Sequence, residues 1–403
     1  MSAPLEGVLV VTLENAVSAP FTTRHLADLG ARVLKVERPP HGDFARHYDS
    51  RLDGESTYFV WGNRGKDSIA LDLRDSAQRE HFDELVAGAD VFVQNLSPAA
   101  ARRAGVLAEQ LTARHPRLIA CDISGYGIDG PRAGDKAYDL IVQAESGAVA
   151  LTGDPERMSK VGFSVADICA GMYALSAILA ALVRRTATGE GAAISLSMLE
   201  CLAEWTAPQT YASVADGAPP TRSARRHSLI APYGLFELDD GSVIMLAVQA
   251  NPEWVALAGE VMGRPELATD PRFATNASRV VNVDELEEAI SACFAAEPAA
   301  QVLSKLRAAR IAFGRVNGPL EVAAHEQLHA RDRFGTVELP GGAATMLRPP
   351  FNISAAGEPR WRVPALDEHE PELVAELLER ARRRAQRGEG APAADTAGSE
   401  ITP

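Results

Sequence analysis

The chain has 403 residues, 46% hydrophobic and 23% charged, which is typical of a globular protein. Its formal net charge of −14 argues against nucleic acid or an anionic membrane surface as the main partner. The opening MSAPLEGVLVVTLE lacks the basic region of a signal peptide, and polar residues interrupt the apolar runs before membrane-spanning length. Four scattered cysteines without a C-x-x-C pair fit reduced thiols. We therefore expect a cytoplasmic protein.

Strands and helices alternate through the first half of the chain. Gly7–Glu14 and Ala31–Glu37 are β-branched strands on either side of a helix at Phe21–Leu29. This alternation predicts a Rossmann-like, doubly wound parallel sheet. The turn after the first strand, NAVSAPFTT, lacks the G-x-G-x-x-G fingerprint, so nothing indicates NAD. The later elements are strands at Ser68–Leu73, Asp90–Gln94 and Leu118–Asp122 and a helix at Ser76–Val86.

The stretch Lys160–Arg185 is apolar on every face of a helix, which predicts a buried helix beginning near Ile168. Asp167 stands just before that helix. An aspartate in this position is ordinarily an N-cap, whose carboxylate accepts hydrogen bonds from the first backbone N–H groups.

Changes in composition predict the domain organisation. A large Rossmann-like domain spans residues 1–211, and the Pro/Gly/Ser-rich stretch Ala212–Ser223 resembles a linker. Residues 212–324 then form the linker and a small α+β domain, with a hairpin around an Asp-Gly turn. Residues 325–386 return to the large domain through two strands and a helix, Glu370–Gln386, and residues 387–403 form a disordered tail.

Two motifs allow different chemistries. Basic residues at predicted strand ends together suit a phosphorylated nucleotide, although for each residue taken separately solvated surface charge is the favoured interpretation. These residues are Lys35, Arg38, Arg64, Lys66, Arg102, Arg103 and Lys136. HEQLH at His325–His329 matches the H-E-x-x-H pattern of zinc proteases. It lacks a later ligand at characteristic spacing, which favours a solvated helix face and no metal.

The first half also contains an ordered set of segments, which read APFTTRHLADLGARVLKVERPPHGD, WGNRGKDSIALDL, VQNLSPAAARRAGV, SGYGIDGP, KAYDLIVQAESG, VADICAGMYALSAILAAL and GEGAAISLSMLE. In this order they resemble family III of the CoA-transferases, the group that also contains alpha-methylacyl-CoA racemases. The similarity covers most of residues 5–210 and continues more weakly to about residue 380. It implies an interlocked homodimer, acyl-CoA and carboxylic acid substrates, and no permanent cofactor.

By this resemblance Asp167 is the catalytic nucleophile, which forms a mixed anhydride and then an enzyme–CoA thioester. We expect the helix N-terminus to keep its carboxylate ionised. Lys136, Tyr138 and Asp139 match positions that line the transferase site. The racemases have a histidine where this chain has Tyr138, and a phenol with a pKa of about 10 is a poor base, so transfer is favoured.

For CoA binding, the resemblance implies contacts from Arg38, Asn95, Arg103 and Lys136, with Lys66 a further candidate from the NRGK segment. Val17 stands where oxalate-using members have glutamine, and AVQANPEW replaces their run of glycines. Both departures argue against formyl-CoA:oxalate exchange.

Arg225, Arg226 and His227 precede the hairpin of the small domain. They suit the distal carboxylate of a dicarboxylic substrate, as in members that use succinyl-CoA, or else they are solvated linker charges. A 2-methylacyl-CoA racemase, a non-catalytic acyl-CoA binder and a zinc hydrolase remain the alternatives to a CoA-transferase.

Overall fold

A computed structural model of the chain describes residues 3–219, 222–354 and 357–387. These residues form two compact units. The first comprises the chain up to Ala148, Val161–Pro208 and the segment from Arg331 onward, and the second comprises Val149–Lys160 and Gln209–Ala330. Their boundaries lie near those expected from composition, except that Val149–Lys160 was expected in the large domain. The division into separate domains stays a prediction, and the predicted tail beyond Arg387 lies outside the described residues.

Six parallel strands form the sheet of the first unit, in the order 3-2-1-4-5-6. Successive side chains of a strand point to opposite faces, and here Val10 joins one core cluster while Leu9 and Val11 join another. Both faces are therefore covered, which confirms the predicted α/β class with a parallel sheet. The strands are β1 (Leu9–Leu13), β2 (Arg32–Glu37), β3 (Lys66–Ala70), β4 (Val91–Gln94), β5 (Ile119–Ser124) and β6 (Ala192–Ser197).

Among the described residues, ten helices precede the hairpin of the second unit in the chain. A short 3-10 turn at Phe44–His47 follows β2. The helices are α1 (Ser18–Asp28), α2 (Thr57–Asn63), α3 (Ser76–Gly88), α4 (Pro98–Arg103), α5 (Ala108–Arg114), α6 (Asp139–Glu145), α7 (Ala148–Leu151), α8 (Val165–Thr188), α9 (Met198–Trp205) and α10 (Ala207–Asp216).

Helix α8 begins at Val165, not near Ile168, so the predicted N-cap role of Asp167 is wrong: this residue lies in the first turn. The helix ends at Gly189, which adopts the left-handed conformation with φ of 76°. In length and hydropathy α8 does match a membrane span, contrary to our expectation. A core helix of a soluble protein passes the same test, and 56% of the apolar window is buried.

The second unit contains the predicted hairpin, β7 (Tyr233–Glu237) paired with β8 (Val243–Ala247). The prediction of a linker at Ala212–Ser223 is wrong in part, because α10 continues to Asp216. Residues 220 and 221 of this stretch lie outside the described residues. A π turn at Leu257–Val261 and a 3-10 turn at Pro265–Ala268 follow α11. The remaining elements are α11 (Asn251–Ala256), α12 (Asn276–Val281), α13 (Val283–Ala295), α14 (Ala299–Ala308), β9 (Ala312–Arg315), α15 (Pro319–Ala323) and α16 (Glu326–Ala330).

The C-terminal segment rejoins the first unit. The predicted strands are present as the antiparallel pair β10 (Phe334–Leu339) and β11 (Gly342–Leu347), and the predicted helix as α17 (Pro371–Gln386). Leu373 and Leu377 of α17 are buried in the core cluster that contains Phe82 of α3. Gly88 permits this packing, because a Cβ there would collide with the carbonyl of Leu377.

Candidate active site

The N-termini of helices α1 and α8 are held close together around the partly buried Asp167. Gly171 of α8 lies against the start of α1, where an added Cβ would stand 2.8 Å from the carbonyl oxygen of Ser18. The hydroxyl of Thr22 joins the helices by donating to the carbonyl oxygens of Ser18, at 3.0 Å, and Gly171, at 3.1 Å. The glycine therefore allows the close approach that brings Ser18 to Asp167.

Asp139, not Asp167, caps helix α8. Its Oδ1 accepts hydrogen bonds from the backbone N–H of Ala166 at 2.8 Å and, more weakly, of Asp167 at 3.3 Å. The side-chain amide of Gln143 donates to the other oxygen of Asp139 at 2.6 Å. These N–H donors are directed at Asp139, and the charge of Asp139 in turn acts on Asp167.

The pKa of Asp167 is raised to about 7, first by burial and then by the charge of Asp139. Hydrogen bonds from the hydroxyl and the backbone N–H of Ser18 act in the opposite direction. The expectation that the helix N-terminus keeps Asp167 ionised is therefore wrong. Asp139 accepts hydrogen bonds from the backbone N–H groups that were expected to stabilise the ionised carboxylate of Asp167.

The turn between β1 and α1 is braced by two side chains. Asn95 accepts from the N–H of Asn15 at 2.9 Å and donates to its carbonyl oxygen at 2.8 Å and to Ser18 Oγ at 3.3 Å. Asp43 accepts from the N–H of Ala16 at 3.0 Å, and Ala16 has a positive φ of 63°. Because both N–H groups of its amide are engaged, Asn95 is placed as a brace, and its predicted contact with CoA gains no support.

Lys66 is fully buried, which contradicts its predicted contact with CoA. Its ammonium donates to Glu14 at 2.6 Å, to Asn63 Oδ1 at 2.9 Å and to the carbonyl oxygen of Pro20 at 3.0 Å, so its three donors are satisfied. Burial lowers its pKa to about 7, although Glu14 acts in the opposite direction. Lys66 thus neutralises a buried carboxylate beneath the β1–α1 turn.

Lys35 and Arg64, two of the basic residues predicted at strand ends, are buried in ion pairs with Asp43 and Asp28, so a contact with a nucleotide is wrong for both. The remaining predicted CoA contacts of the first unit are accessible. Arg38, Arg103 and Lys136 are exposed, as binding to a CoA phosphate requires. Tyr138, directly before Asp139, is 66% exposed. Partial burial, and then the charges of Asp43, Asp167 and Tyr138, raise the pKa of Tyr48 to about 12.

The three basic residues of the second unit are engaged differently from one another. Arg226 forms ion pairs with Asp284 at 2.7 Å and Glu287 at 3.0 Å, so its charge is already balanced. The ring of His227 stacks on Tyr233 with centroids 5.3 Å apart. Arg225 is exposed, and it is therefore the best placed of the three for a substrate carboxylate.

The HEQLH motif does not form the helical frame of a zinc protease. His325 precedes the five-residue helix α16, and Nε2 of His329 lies 2.9 Å from the carbonyl oxygen of Ala323. Within residues 3–219, 222–354 and 357–387, no three His, Cys, Asp or Glu side chains are grouped to hold a metal ion.

The sequence profile of CoA-transferase family III matches residues 5–370. The chain belongs to this family. It is 37% identical to the acetyl-CoA:oxalate CoA-transferase of Acetobacter aceti over 91% of this chain and 93% of that protein. It is 34% identical to the succinate–glutarate CoA-transferase of Agrobacterium fabrum over 93% and 96% of the two chains. The crystal structure of a CAIB/BAIF family protein from Brucella suis matches it with a TM-score of 0.82 and 34% identity, over 94% and 100%.

The chain is thus an enzyme of the CoA-transferase type, as the sequence predicted. In this family III CoA-transferase, four residues at or near the site were not predicted from the sequence. Ser18 and Tyr48 interact electrostatically with Asp167, Gln143 donates to Asp139, and Asp43 braces the turn before α1. Only Ser18 had a local signal, because a serine shortly before a predicted helix is a common helix-start residue. The others reach the site through tertiary contacts.

Proposed function

We propose that this enzyme moves CoA reversibly from an acyl-CoA to a free dicarboxylic acid, with Asp167 as the nucleophile. The observation that supports this most directly is the placement of Asp167 in the first turn of α8, beside the cap Asp139, which accepts the backbone N–H of Asp167 itself. Relatives named for oxalate, and for succinate and glutarate, support a dicarboxylic acceptor. Succinyl-CoA is a donor to be tested first.

The proposed reaction uses Asp167 covalently. Its carboxylate attacks the thioester carbonyl of the donor and releases the CoA thiolate, which leaves a mixed anhydride. The thiolate then attacks Cγ of Asp167, so the donor acid departs and an aspartyl-CoA thioester remains. The acceptor carboxylate attacks that thioester and releases CoA again. Finally, the thiolate attacks the acceptor's acyl carbon in the new anhydride, which forms the product thioester and restores Asp167.

The surrounding residues have separate proposed roles. Exposed Lys136 and Tyr138 precede α6 and would stabilise negative charge on the donor's thioester oxygen. Arg38 and Arg103 would contact the phosphates of CoA. The strand order 3-2-1-4-5-6 supports a Rossmann-like large domain. We also propose that the enzyme is an interlocked homodimer located in the cytoplasm.

Trapping the covalent intermediate tests this function. Incubation with succinyl-CoA, acetyl-CoA or another candidate donor, followed by hydroxylamine or borohydride, should modify Asp167, as located by mass spectrometry. Asp167→Ala should abolish the adduct and turnover, while Asp83→Ala on α3 should retain both. An adduct on another residue, or turnover by Asp167→Ala, would refute the assignment.

A second assay addresses the racemase alternative. The enzyme is incubated in deuterium oxide with a 2-methylacyl-CoA and no acceptor acid. We expect no deuterium at the α-carbon, because Tyr138 replaces the histidine base. Rapid incorporation would identify a racemase.

A further inference from the structure

The side-chain amide of Gln143 connects helix α6 to the segment that leads into helix α8. Gln143 is fully buried. Its Nε2 donates to Oδ2 of Asp139 at 2.6 Å and to the carbonyl oxygen of Phe163 at 3.3 Å, and its Oε1 accepts from the N–H of Val161 at 2.9 Å. We propose that Gln143 is a positioning residue for the reaction, which holds the first turn of α8 and therefore Asp167 in place. This inference rests on the proposed function.

A glutamine suits this position because its neighbours require both donors and an acceptor. A carboxamide has two N–H donors and one carbonyl acceptor. The carbonyl of Phe163 can only accept a hydrogen bond, and the N–H of Val161 can only donate one, so these two groups determine which way the amide of Gln143 is turned. In that orientation the second N–H of the amide points to Asp139. Each donor and acceptor of this buried amide therefore has a defined partner.

The bond from Gln143 to Oδ2 of Asp139 directs the other carboxylate oxygen to the backbone of α8. Asp139 and Gln143 are four residues apart on α6, a spacing that places both side chains on one face of the helix. Oδ1 of Asp139 then accepts from the N–H of Ala166 at 2.8 Å and of Asp167 at 3.3 Å. A carboxylate that is fixed at one oxygen cannot turn freely, so Gln143 maintains the cap of the helix that carries the nucleophile.

The same amide also holds the peptide that enters α8. The carbonyl oxygen of Phe163, which accepts from Gln143, accepts in addition from the N–H of Val165 at 2.8 Å, and Val165 is the first residue of α8. Helix ends otherwise fray. A displacement of the reacting group by about 1 Å can lower a rate by about 100-fold. Loss of Gln143 should therefore slow the attack of Asp167 without weakening contacts to the CoA phosphates.

The test compares Gln143→Met with wild type in a single turnover with saturating donor. Rapid quench and mass spectrometry measure formation of the aspartyl-CoA thioester. Methionine is unbranched like glutamine, but it has no N–H donor and only a weak acceptor. The pH is 8.5, above the titration of Asp167, so that a lowered pKa does not contribute. We expect the reaction to slow by about 10- to 100-fold, with the steady-state donor KM changed less than about 3-fold.

The matched control is Gln94→Met, because Gln94 makes the same kind of arrangement at another helix. Gln94 is buried, donates to Oδ1 of Asp122 at 2.8 Å and accepts from the N–H of Leu96 at 2.6 Å. Oδ2 of Asp122 accepts from the N–H of Ala108, the first residue of α5, at 2.9 Å. This variant should keep the rate within about 3-fold, because it does not displace the nucleophile. An equal loss in both variants, or a wild-type rate in Gln143→Met, would overturn the inference.

A double variant tests whether Gln143 acts through Asp139. Residues that share a hydrogen bond have non-additive effects, so in an Asp139→Ala background the change Gln143→Met should slow the reaction by less than about 3-fold further. A loss in that background as large as in wild type would exclude the positioning role.

If Gln143→Met does not fold, Gln143→Asn decides in its place. It keeps the amide but withdraws it from its partners by one methylene group, and it must slow the reaction by at least about 10-fold for the inference to stand. Failure of wild type to form any Asp167 adduct would refute the proposed function instead.

Discussion

The partly buried carboxylate of Asp167 should reduce the stability of the folded protein above acidic pH. Its pKa is raised from 3.8 to about 7, so the folded state binds its proton more tightly than the unfolded state does. Between these two values the folded state holds more protons, and its stability falls as pH rises. The loss is absent below pH 3.8 and complete above pH 7. Asp167→Asn, which keeps an acceptor for Ser18 but carries no charge, should therefore be more stable than wild type.

The size of this gain follows from the pKa. At about 1.4 kcal/mol per pKa unit, the carboxylate destabilises the fold by about 3 kcal/mol at pH 6 and about 4 kcal/mol at pH 8.5. These are upper bounds, because Asp167 is partly exposed and solvent screens its charge. The advantage of Asp167→Asn should accordingly grow by up to about 1.4 kcal/mol between pH 6 and pH 8.5.

Urea unfolding followed by tryptophan fluorescence, at equal protein concentration and at several pH values in that range, measures this difference. Glu37→Gln serves as the control. The pKa of Glu37 is lowered to about 2, chiefly by its hydrogen bond with Arg46 against the opposing effect of burial, so its stabilising charge is complete above pH 4.5. This variant should lose stability by the same amount at pH 6 and pH 8.5. A pH-independent difference for Asp167→Asn, or a variant less stable than wild type at pH 8.5, would refute the reasoning.

Two further predictions concern the pH profile and the buried lysine. The single-turnover rate of acylation should rise with pH through about 7, because the proposed nucleophile is the ionised form of Asp167. Asp139→Asn should move the midpoint of this profile to lower pH, and an unmoved midpoint would exclude Asp139 as a cause of the raised pKa. Lys66→Met should lower the free energy of unfolding by about 3–5 kcal/mol, because it leaves Glu14 short of a buried partner, without a selective rise in donor KM. Arg38→Ala should instead raise the donor KM without lowering the free energy of unfolding. Urea denaturation and steady-state kinetics on both variants measure these two quantities.

The sequence pattern was sufficient to predict those helices and strands whose boundaries depend on residues nearby in the sequence. The strands before and after α1, the hairpin around the Asp-Gly turn and the C-terminal helix all appear near their predicted positions, because apolar periodicity and turn residues are local properties. The start of α8 was misplaced because its cap, Asp139, comes from a separate helix. A local reading therefore assigned to Asp167 the role that Asp139 has.

The same limit explains the error at Lys66. A lysine near a strand end has the same local sequence whether its ammonium reaches solvent or a buried carboxylate. Here Glu14, on another strand end, determines the outcome, and the resemblance to a family carried no information about that pair. Asn95 was likewise expected to contact ligand because nothing local shows that Asn15 and Ser18 engage its amide. Residue types were informative about chemistry, whereas burial and pairing required the tertiary structure.

Two carboxylates at one helix N-terminus compete for the same stabilising N–H groups, and this competition bears on the proposed chemistry. Asp139 accepts the hydrogen bond from the N–H of Ala166, and its charge destabilises the ionised form of Asp167 beside it. In both the anhydride and the thioester, Asp167 carries no charge, and each acylated state is therefore relieved of that repulsion. The repulsion thus raises the free energy of the resting carboxylate relative to the covalent intermediates. A feature that weakens the folded protein would then favour acylation, which accounts for an acidic cap directly beside the nucleophile.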